Sequence, residues 1–146
     1  MTTVTQILAS KADSTVHTIE PNASVHDAIR MMADRNVGAL VVVAHGQVVG
    51  IVSERDFARK ILLVARSTKD TPVSEIMSSP VMYVRPGTTG EECMALMTAN
   101  RLRHLPVMDG GRLIGLVSIG DLVKATISEQ QFIIEQLEHY ISGQRD

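Results

Sequence analysis

Apolar and polar positions divide the first half of the chain into alternating strand and helix patterns. Thr15–Ile19 alternates as a short strand, which a proline then ends. Ser24 is a helix cap, the apolar residues after it recur at helical spacing, and Asn36 is expected to end the helix. Ala39–Ala44 is apolar throughout, as is typical of a buried strand, and Gln47–Val52 follows a two-residue turn as its hairpin partner.

Two helical segments flank this strand pattern. The run 4–9 predicts a short helix, and Asp56–Val64 predicts a second helix. In the second helix Phe57, Ile61 and Val64 are spaced to face the core. The polar stretch from Arg66 to a proline at position 72 then predicts a linker.

The second half of the chain shows the same succession of patterns. Val73–Met77 predicts a short helix, Val81–Val84 a strand, and Gly90–Asn100 a helix with Cys93 near its buried side. Cys93 stands where the first half has an alanine, which favours a core thiol over a reactive one. Two strands, Arg103–Met108 and Arg112–Val117, complete the pattern around a glycine-rich turn, and a helix is expected from residue 121 to 127.

The tail carries an apolar stripe that must be buried somewhere. Its residues recur at intervals of three and four: Ile133, Ile134, Leu137, Tyr140 and Ile141. Either the stripe docks on the domain, or it forms the seam of a dimer, and the sequence favours neither alternative.

The two halves repeat in a constant register, in which Gly50 matches Gly115. Gly50–Asp56 and Gly115–Asp121 both read Gly, two apolar residues, Ser, two variable residues and Asp. Other pairs matched at the same spacing are Pro21 and Pro86, Met32 and Met97, Leu40 and Leu105, Val42 and Val107, and Gly46 and Gly111. The leading segments also align, with four extra residues in the first copy near 11–14. The chain therefore consists of two tandem copies and a C-terminal helix.

Composition narrows the function classes. The 146 residues are 45% hydrophobic and 21% charged, a globular balance, and aromatic residues make up only 3%, so an aliphatic core is expected. The net charge of −2, without a run of Lys or Arg, argues against nucleic acid or a membrane surface as partner. One cysteine and no signal-peptide pattern favour a reducing, cytoplasmic setting.

The sequence lacks the common catalytic and metal-binding motifs. The five histidines are scattered without metal-ligand spacing, and no nucleophile elbow, P-loop or dinucleotide fingerprint is present. Ser and Asp three residues apart, without a nearby base, do not form a triad. The sequence therefore predicts a protein that is not an enzyme and needs no metal or resident cofactor.

The repeated unit resembles the CBS domain, and the tandem pair resembles a Bateman module. The resemblance rests on the two Gly-x-x-Ser-x-x-Asp stretches and on the strands Asn36–Leu40 and Arg103–Val107. It implies an α+β fold in which two β-α-β-β-α units pack about a pseudo-twofold axis, plus a C-terminal helix. The expected boundaries are unit 1 at 4–65, a linker at 66–72, unit 2 at 73–127, and a C-terminal helix and tail at 128–146. The family commonly forms homodimers and binds adenosine ligands in two clefts: AMP, ADP, ATP, NAD(H) or S-adenosylmethionine.

The chemistry of the repeated turn suits a ribose. A carboxylate accepts two hydrogen bonds from vicinal hydroxyls, and Asp56 and Asp121 are placed to do so. The Ser hydroxyl adds a donor or acceptor, free N–H groups at the helix start favour phosphate, and the preceding Gly allows close approach. The alternative is a purely structural role, in which Ser-x-x-Asp forms a helix capping box.

The two expected sites differ. At one strand the first copy has Gly38-Ala39 where the second has Arg103-His104, and Arg suits phosphate, so the second site is expected to bind more tightly. Arg55 is expected to reach toward that site, although a solvated surface charge is its ordinary fate. The candidate ligand residues are Val16, His17, Thr18, Ser53, Arg55, Asp56, Met82, Tyr83, Val84, Arg103, His104, Leu105, Pro106, Ser118, Ile119 and Asp121.

The predicted function is a sensor of adenosine ligands that signals to a separate partner protein through ligand-dependent conformation. The alternative is a constitutive interaction or assembly module without a physiological ligand, carried by the C-terminal stripe.

Overall fold

The structure, a computed structural model, describes residues 2–142 and divides into two compact units. Thr15–Met82 forms the first-copy unit, and the chain up to Ser14 joins the chain from Tyr83 onward in the second-copy unit. In chain order the regular elements are α1 (Val4–Ser10), β1 (Thr18–Ile19), α2 (Val25–Arg35), β2 (Ala39–Ala44), β3 (Gln47–Ser53), α3 (Glu54–Phe57), a π-helical turn (Ala58–Leu62), a 3₁₀ turn (Val73–Glu75), α4 (Gly90–Asn100), β4 (His104–Asp109), β5 (Arg112–Ser118) and α5 (Ile119–Ser142).

The first-copy unit is a three-stranded sheet with helices packed on it. The strand order is β1-β2-β3, with β1 parallel to β2 and β3 antiparallel to β2. Ser24 Oγ accepts the Asp27 N–H at 3.1 Å and caps α2, and Asn36 ends that helix with a left-handed φ of 55°. Buried aliphatic side chains from the sheet, from α2 and from the 3₁₀ turn form one core. These caps agree with the sequence prediction.

The second-copy unit repeats this architecture with a two-stranded sheet, β4-β5. Thr89 caps α4, and Arg101, which the repeat aligns with Asn36, ends it at a left-handed φ of 54°. The hairpin register also repeats, because Val42 faces Gly50 in one unit and Val107 faces Gly115 in the other. The sequence repeat is therefore a structural repeat.

The leading segments of the two copies are exchanged between the units. In the second-copy unit, α1 donates the Val4 N–H to Thr88 O at 2.8 Å. In the first-copy unit, the 3₁₀ turn donates the Val73 N–H to Ala23 O at the same distance. The compact units therefore differ from the repeat boundaries in sequence: each core is completed by the short helix that precedes the other copy.

Several predicted elements differ from the observed ones. The strand expected at Thr15–Ile19 forms only over its last two residues, and Val81–Val84 contributes a single bridge, from Val84 to Val107. Val64 is 57% exposed because the helix expected to continue from Asp56 ends in the π-helical turn. Only the ends of the two expected strands pair with a neighbouring strand, and Val64 lies beyond Ile61, the last buried residue of its helical segment.

The C-terminal part of the chain forms one helix where the sequence predicted two. α5 runs without a break from Ile119 to Ser142, so the helix expected from residue 121 and the expected C-terminal helix are one element. Every residue from Gln130 to Ile141 is exposed, so the stripe is not docked on the domain. The end of the predicted tail, 143–146, lies outside the described residues.

Candidate functional site

The turn between β3 and α3 is closed by a capping box. Asp56 Oδ2 accepts the Ser53 N–H at 2.9 Å and the Ser53 hydroxyl at 3.1 Å. The Asp56 N–H donates in return to Ser53 Oγ at 3.3 Å. Two backbone donors at the helix start are satisfied reciprocally, so the carboxylate is held firmly at the helix N-terminus.

The second copy builds the same turn between β5 and α5. Asp121 Oδ2 accepts the Ser118 N–H at 2.8 Å, and the Asp121 N–H donates to Ser118 Oγ at 3.1 Å. Both carboxylates therefore have the structural role that a capping box implies. Their position at a strand-to-helix turn, which the sequence predicted, is the same in both units.

The expectation of free backbone N–H groups at these turns is wrong for most of them. Besides the two donors in each capping box, the Glu54 N–H donates to Gly38 O at 3.1 Å and the Ile119 N–H to Arg103 O at 2.9 Å. Three of the four N–H groups from Ser53 to Asp56 are therefore already bonded. An anion at this turn would find few donors on the backbone, so positive side chains have to provide the attraction.

Each carboxylate is paired with a lysine that sequence reasoning did not select. Lys60 Nζ lies 3.2 Å from Asp56 Oδ1 and donates to Ile76 O at 2.8 Å. Lys11 Nζ lies 3.0 Å from Asp121 Oδ2 and donates to Leu116 O at 3.0 Å. Lys60 follows Asp56 by one helical turn, and this spacing in the sequence is typical of an ion pair on a helix. Lys11 lies near the opposite end of the chain from Asp121, within the insertion of the first copy, and no local pattern indicated it.

The charge environment of the second turn keeps Asp121 ionised. Burial by itself would raise the pKa of this carboxyl, but the Ser118 N–H and the Lys11 ammonium outweigh it, so the pKa lies below its usual value. His104, which pairs with Ser118 across the β4-β5 hairpin, also has a lowered pKa, which favours its neutral form. Its burial lowers the pKa of the imidazole, and the positive charges of Lys11 and Arg103 add to that, whereas Asp121 works against it.

The glycine of each motif makes room for a side chain of the exchanged leading segment. A Cβ added at Gly115 would lie 2.7 Å from Leu8 Cδ1, and one at Gly50 would meet Met77 in the same way. Leu8 and Met77 occupy equivalent positions in the two leading segments. The close approach expected at these glycines therefore involves the protein itself, since the neighbouring atoms belong to its own leading segments.

Backbone groups in two of the candidate ligand-binding segments, 16–18 and 82–84, already form hydrogen bonds within their units. The His17 carbonyl accepts the Val41 N–H at 3.1 Å, beside Val16 and Thr18. Val84 donates to Pro106 O and accepts from the Met108 N–H, both at 2.9 Å. A ligand read by these backbone groups would have to share or displace those bonds.

The remaining predicted residues fall into core and surface positions. Leu105 and Pro106 are buried in the second-copy unit, and Ile119 is 41% exposed at the start of α5. Met82 and Tyr83 are exposed at the end of one unit and the beginning of the other, 38% and 51% respectively. Arg103 is exposed and Arg55 half-buried. The turn of the second-copy unit thus brings together Lys11, Arg103, His104, Ser118 and Asp121, whereas that of the first-copy unit has Ser53, Arg55, Asp56 and Lys60.

A small cavity in the second-copy unit adjoins its strand-to-helix turn. A cavity of about 120 Å³ beside Asp121 is lined by Ile7, Ser10, Lys11, Ala12, Asp13, Asp121 and Lys124. It is smaller than the ~300 Å³ at which small-molecule pockets begin, so it could hold a single polar group of a ligand. A larger one of about 600 Å³ in the first-copy unit includes Thr18 but neither Ser53 nor Asp56.

Among residues 2–142 no group of three or more His, Cys, Asp or Glu side chains is arranged to hold a metal ion. Within the same part of the chain, no helix combines the length and apolar character needed to cross a membrane. Cys93 is buried as a free thiol, and its burial, together with the nearby Glu92 carboxylate, raises the pKa of the thiol. A core role is therefore confirmed for this cysteine.

Comparison with known proteins gives one consistent family. The profile of the CBS domain matches residues 5–63 and 73–128. The chain is 41% identical over 150 residues to the mitochondrial CBS domain-containing protein CBSX3 of Arabidopsis thaliana, covering 97% of the chain and 73% of that protein. It is 35% identical over 115 residues to the CBS domain-containing protein YhcV of Bacillus subtilis, covering 79% and 81%.

Comparison with solved structures gives the same family. A CBS-domain protein from Burkholderia ambifaria superimposes with a TM-score of 0.85 at 56% identity, over 88% of this chain and 96% of that one. A hexameric CBS-CP12 protein from bloom-forming cyanobacteria does so with a TM-score of 0.76 at 29% identity, over 83% and 70%. CBS domains are generally regulatory modules. The two matched segments and the repeated fold show that the chain belongs to the CBS-domain family, as a tandem CBS pair with an α+β fold.

Proposed function

We propose that this CBS pair is a regulatory module that binds an adenosine-containing ligand and reports its presence to a partner protein. The candidate ligands are AMP, ADP, ATP, NAD(H) and S-adenosylmethionine. The module works as a homodimer in a reducing, cytoplasmic setting, which its single free thiol suits, although the plant relative is a mitochondrial protein.

The observation that carries this proposal is the carboxylate held at the strand-to-helix turn of each unit. Asp121 is fixed by its capping box and kept ionised by its hydrogen-bonding partners. An ionised carboxylate in a fixed position can accept two charge-assisted hydrogen bonds from the vicinal hydroxyls of a ribose. Its orientation costs the ligand nothing, because the protein fold has already set it.

The lysine beside each carboxylate would compete with a ribose for that carboxylate, and its ammonium could bind a phosphate of the ligand. A lysine ammonium has three N–H donors, and Lys11 directs two of them at Asp121 and Leu116 O. A ribose at Asp121 would share the carboxylate with Lys11, and a phosphate would attract the same ammonium. Ligand binding would therefore loosen the link between Lys11, which follows α1, and the start of α5. This supplies a route from ligand to conformation.

The second turn is proposed to be the stronger site. Its carboxylate has Lys11, Lys124 and Arg103 nearby, whereas the first turn has Lys60 and Arg55 as its cations and Gly38 and Ala39 at the two strand positions. A ligand with several negative charges gains more from the second arrangement. This asymmetry is the part of the proposal that is most sensitive to single substitutions.

Calorimetric titration with the five candidate adenosine ligands tests the proposal. Asp121→Asn keeps the volume and an oxygen for the Ser118 N–H but removes the charge. We expect it to weaken binding of the best ligand by about 1.5–3 kcal/mol, roughly ten- to 150-fold. Asp56→Asn should cost less. Equal losses, or no loss, would contradict the asymmetry.

Asp121→Glu separates a ligand role from a structural one. Glutamate at this position also completes a capping box, so the fold should be retained, but its carboxylate lies one methylene further out. If Asp121 binds ribose, Asp121→Glu lowers affinity while the melting temperature stays near that of the wild type. If Asp121 only caps α5, affinity is unaffected.

A second candidate function is a constitutive assembly module without a physiological ligand, which the exposed stripe of α5 favours. Thermal shift distinguishes the two. Binding to the folded state alone stabilises it by about 2.7 kcal/mol at a hundredfold excess over Kd, so a true ligand raises Tm visibly. A flat response to all five adenosine ligands at millimolar concentration would favour assembly. Binding to random DNA at moderate salt, which the net charge of −2 disfavours, would contradict both.

A further inference from the structure

Helix α5 presents a continuous apolar seam to solvent. The seam consists of six residues that are alternately four and three apart: Val123, Ile127, Gln130, Ile134, Leu137 and Ile141. Its five apolar members are between 46% and 82% exposed. Spacing of this kind places side chains on one stripe of a helix, as in the a and d positions of a heptad.

This seam is a different face from the one that packs on the second-copy unit. Leu122 is 1% exposed and joins the core of that unit, with Ala125 packed beside it. At about 100° per residue the centre of the seam lies roughly 100° around the helix from Leu122. The helix can therefore stay anchored to its own unit while the seam contacts another molecule.

We propose that the seam pairs with the same seam of a second copy of this chain, with the two helices antiparallel. The proposal rests on the homodimer of the proposed function and assigns it a surface. In the antiparallel register centred near residue 132, Val123 faces Ile141 of the second copy and Ile127 faces Leu137. The central layers place Gln130 against Ile134. All six seam positions find a partner, over a length of about 27 Å.

Charge complementarity selects this orientation. Lys124 and Glu138 flank the seam on the same side, at equivalent positions of heptads near its two ends. Antiparallel helices bring such positions together, so Lys124 of each chain meets Glu138 of the other, twice by symmetry. In a parallel pair these residues would face the uncharged positions on the other side of the seam and gain no opposite charge. On that other side, Ile133 meets Ile133 of the second copy at the twofold axis.

A second copy fits the seam better than an unrelated partner because the pattern is self-complementary. The anchoring of α5 through Leu122 also means that the helix is already formed before pairing, which reduces the ordering cost of association.

Cross-linking tests the register directly. A single new cysteine is introduced into a Cys93→Ala background. Alanine replaces Cys93 because the first copy has Ala28 at the matching position. Ile133→Cys should form an intermolecular disulfide under mild oxidation, because the two residues meet at the axis. Ile141→Cys should not, because the two copies of residue 141 are about 27 Å apart. Cross-linking through residue 141 but not 133 would overturn the antiparallel arrangement.

Sedimentation tests the surface and its charges. The wild type should sediment at twice the mass of the 15.9 kDa chain, and Leu137→Glu, at an exposed position, should sediment at the monomer mass with unchanged helix content. Lys124→Glu and Glu138→Lys should each weaken the dimer about tenfold, and the double reversal should restore it.

The outcomes separate failure of the surface from failure of the homodimer. A wild type that is monomeric at all concentrations would overturn both. A dimer that persists in Leu137→Glu and does not cross-link at residue 133 would overturn only the α5 surface. Nucleotide affinity measured in Leu137→Glu addresses ligand binding separately, since that substitution lies several helical turns along α5 from Asp121.

Discussion

The ion pair between Lys11 and Asp121 should stabilise the fold more than the matching pair in the first-copy unit. Its nitrogen and oxygen are 3.0 Å apart, and the two side chains are only 24% and 17% exposed. Lys60 is 43% exposed, so solvent screens its pair with Asp56. Because Lys11 also donates to Leu116 O, it links the segment after α1 to both β5 and α5. We expect a coupling energy of about 1–2 kcal/mol for Lys11 with Asp121.

A double-mutant cycle in urea measures this coupling. Lys11→Met and Asp121→Asn are made singly and together, since both replacements keep most of the side-chain volume. The matched control is the cycle of Lys60→Met with Asp56→Asn, for which an i,i+4 pair predicts about 0.3–0.5 kcal/mol. Equal coupling in the two cycles, or less than about 0.5 kcal/mol for Lys11 with Asp121, would refute the reasoning from burial.

Two further predictions concern the same turn. Since the pKa of Asp121 is lowered by folding, its contribution to stability is fully present above the ordinary pKa of about 4 and is lost as pH falls through the folded-state value. The stability gap between wild type and Asp121→Asn in urea should therefore be constant from pH 5 to 7 and narrow below pH 4; a gap that widens on acidification would contradict the sign. Gly115→Ala, whose Cβ would lie 2.7 Å from Leu8 Cδ1, should cost about 1–3 kcal/mol, against less than 0.5 kcal/mol for Gly87→Ala, where the added carbon meets open space. A Gly115→Ala protein as stable as Gly87→Ala would show that α1 yields without strain.

The elements predicted well are those whose signal lies within the element itself. α4 begins at Gly90 and ends at Asn100 as expected, and the turn between β2 and β3 falls at its predicted place. The prediction was wrong for Val64 because helical spacing alone cannot say where the core surface ends. The single helix α5 was predicted as two because a change of apolar face looks like a boundary in sequence.

The sequence by itself determined the duplication and the family, because both are encoded in local spacing that is repeated along the chain, and it left the capping box at each turn as one of two alternatives. Tertiary structure alone decided that α1 joins the second-copy unit and that the 3₁₀ turn joins the first. It also decided that Lys11 reaches Asp121 from the far end of the chain. Contacts of this kind depend on which surfaces meet after the chain has folded, and no periodicity in the sequence records them.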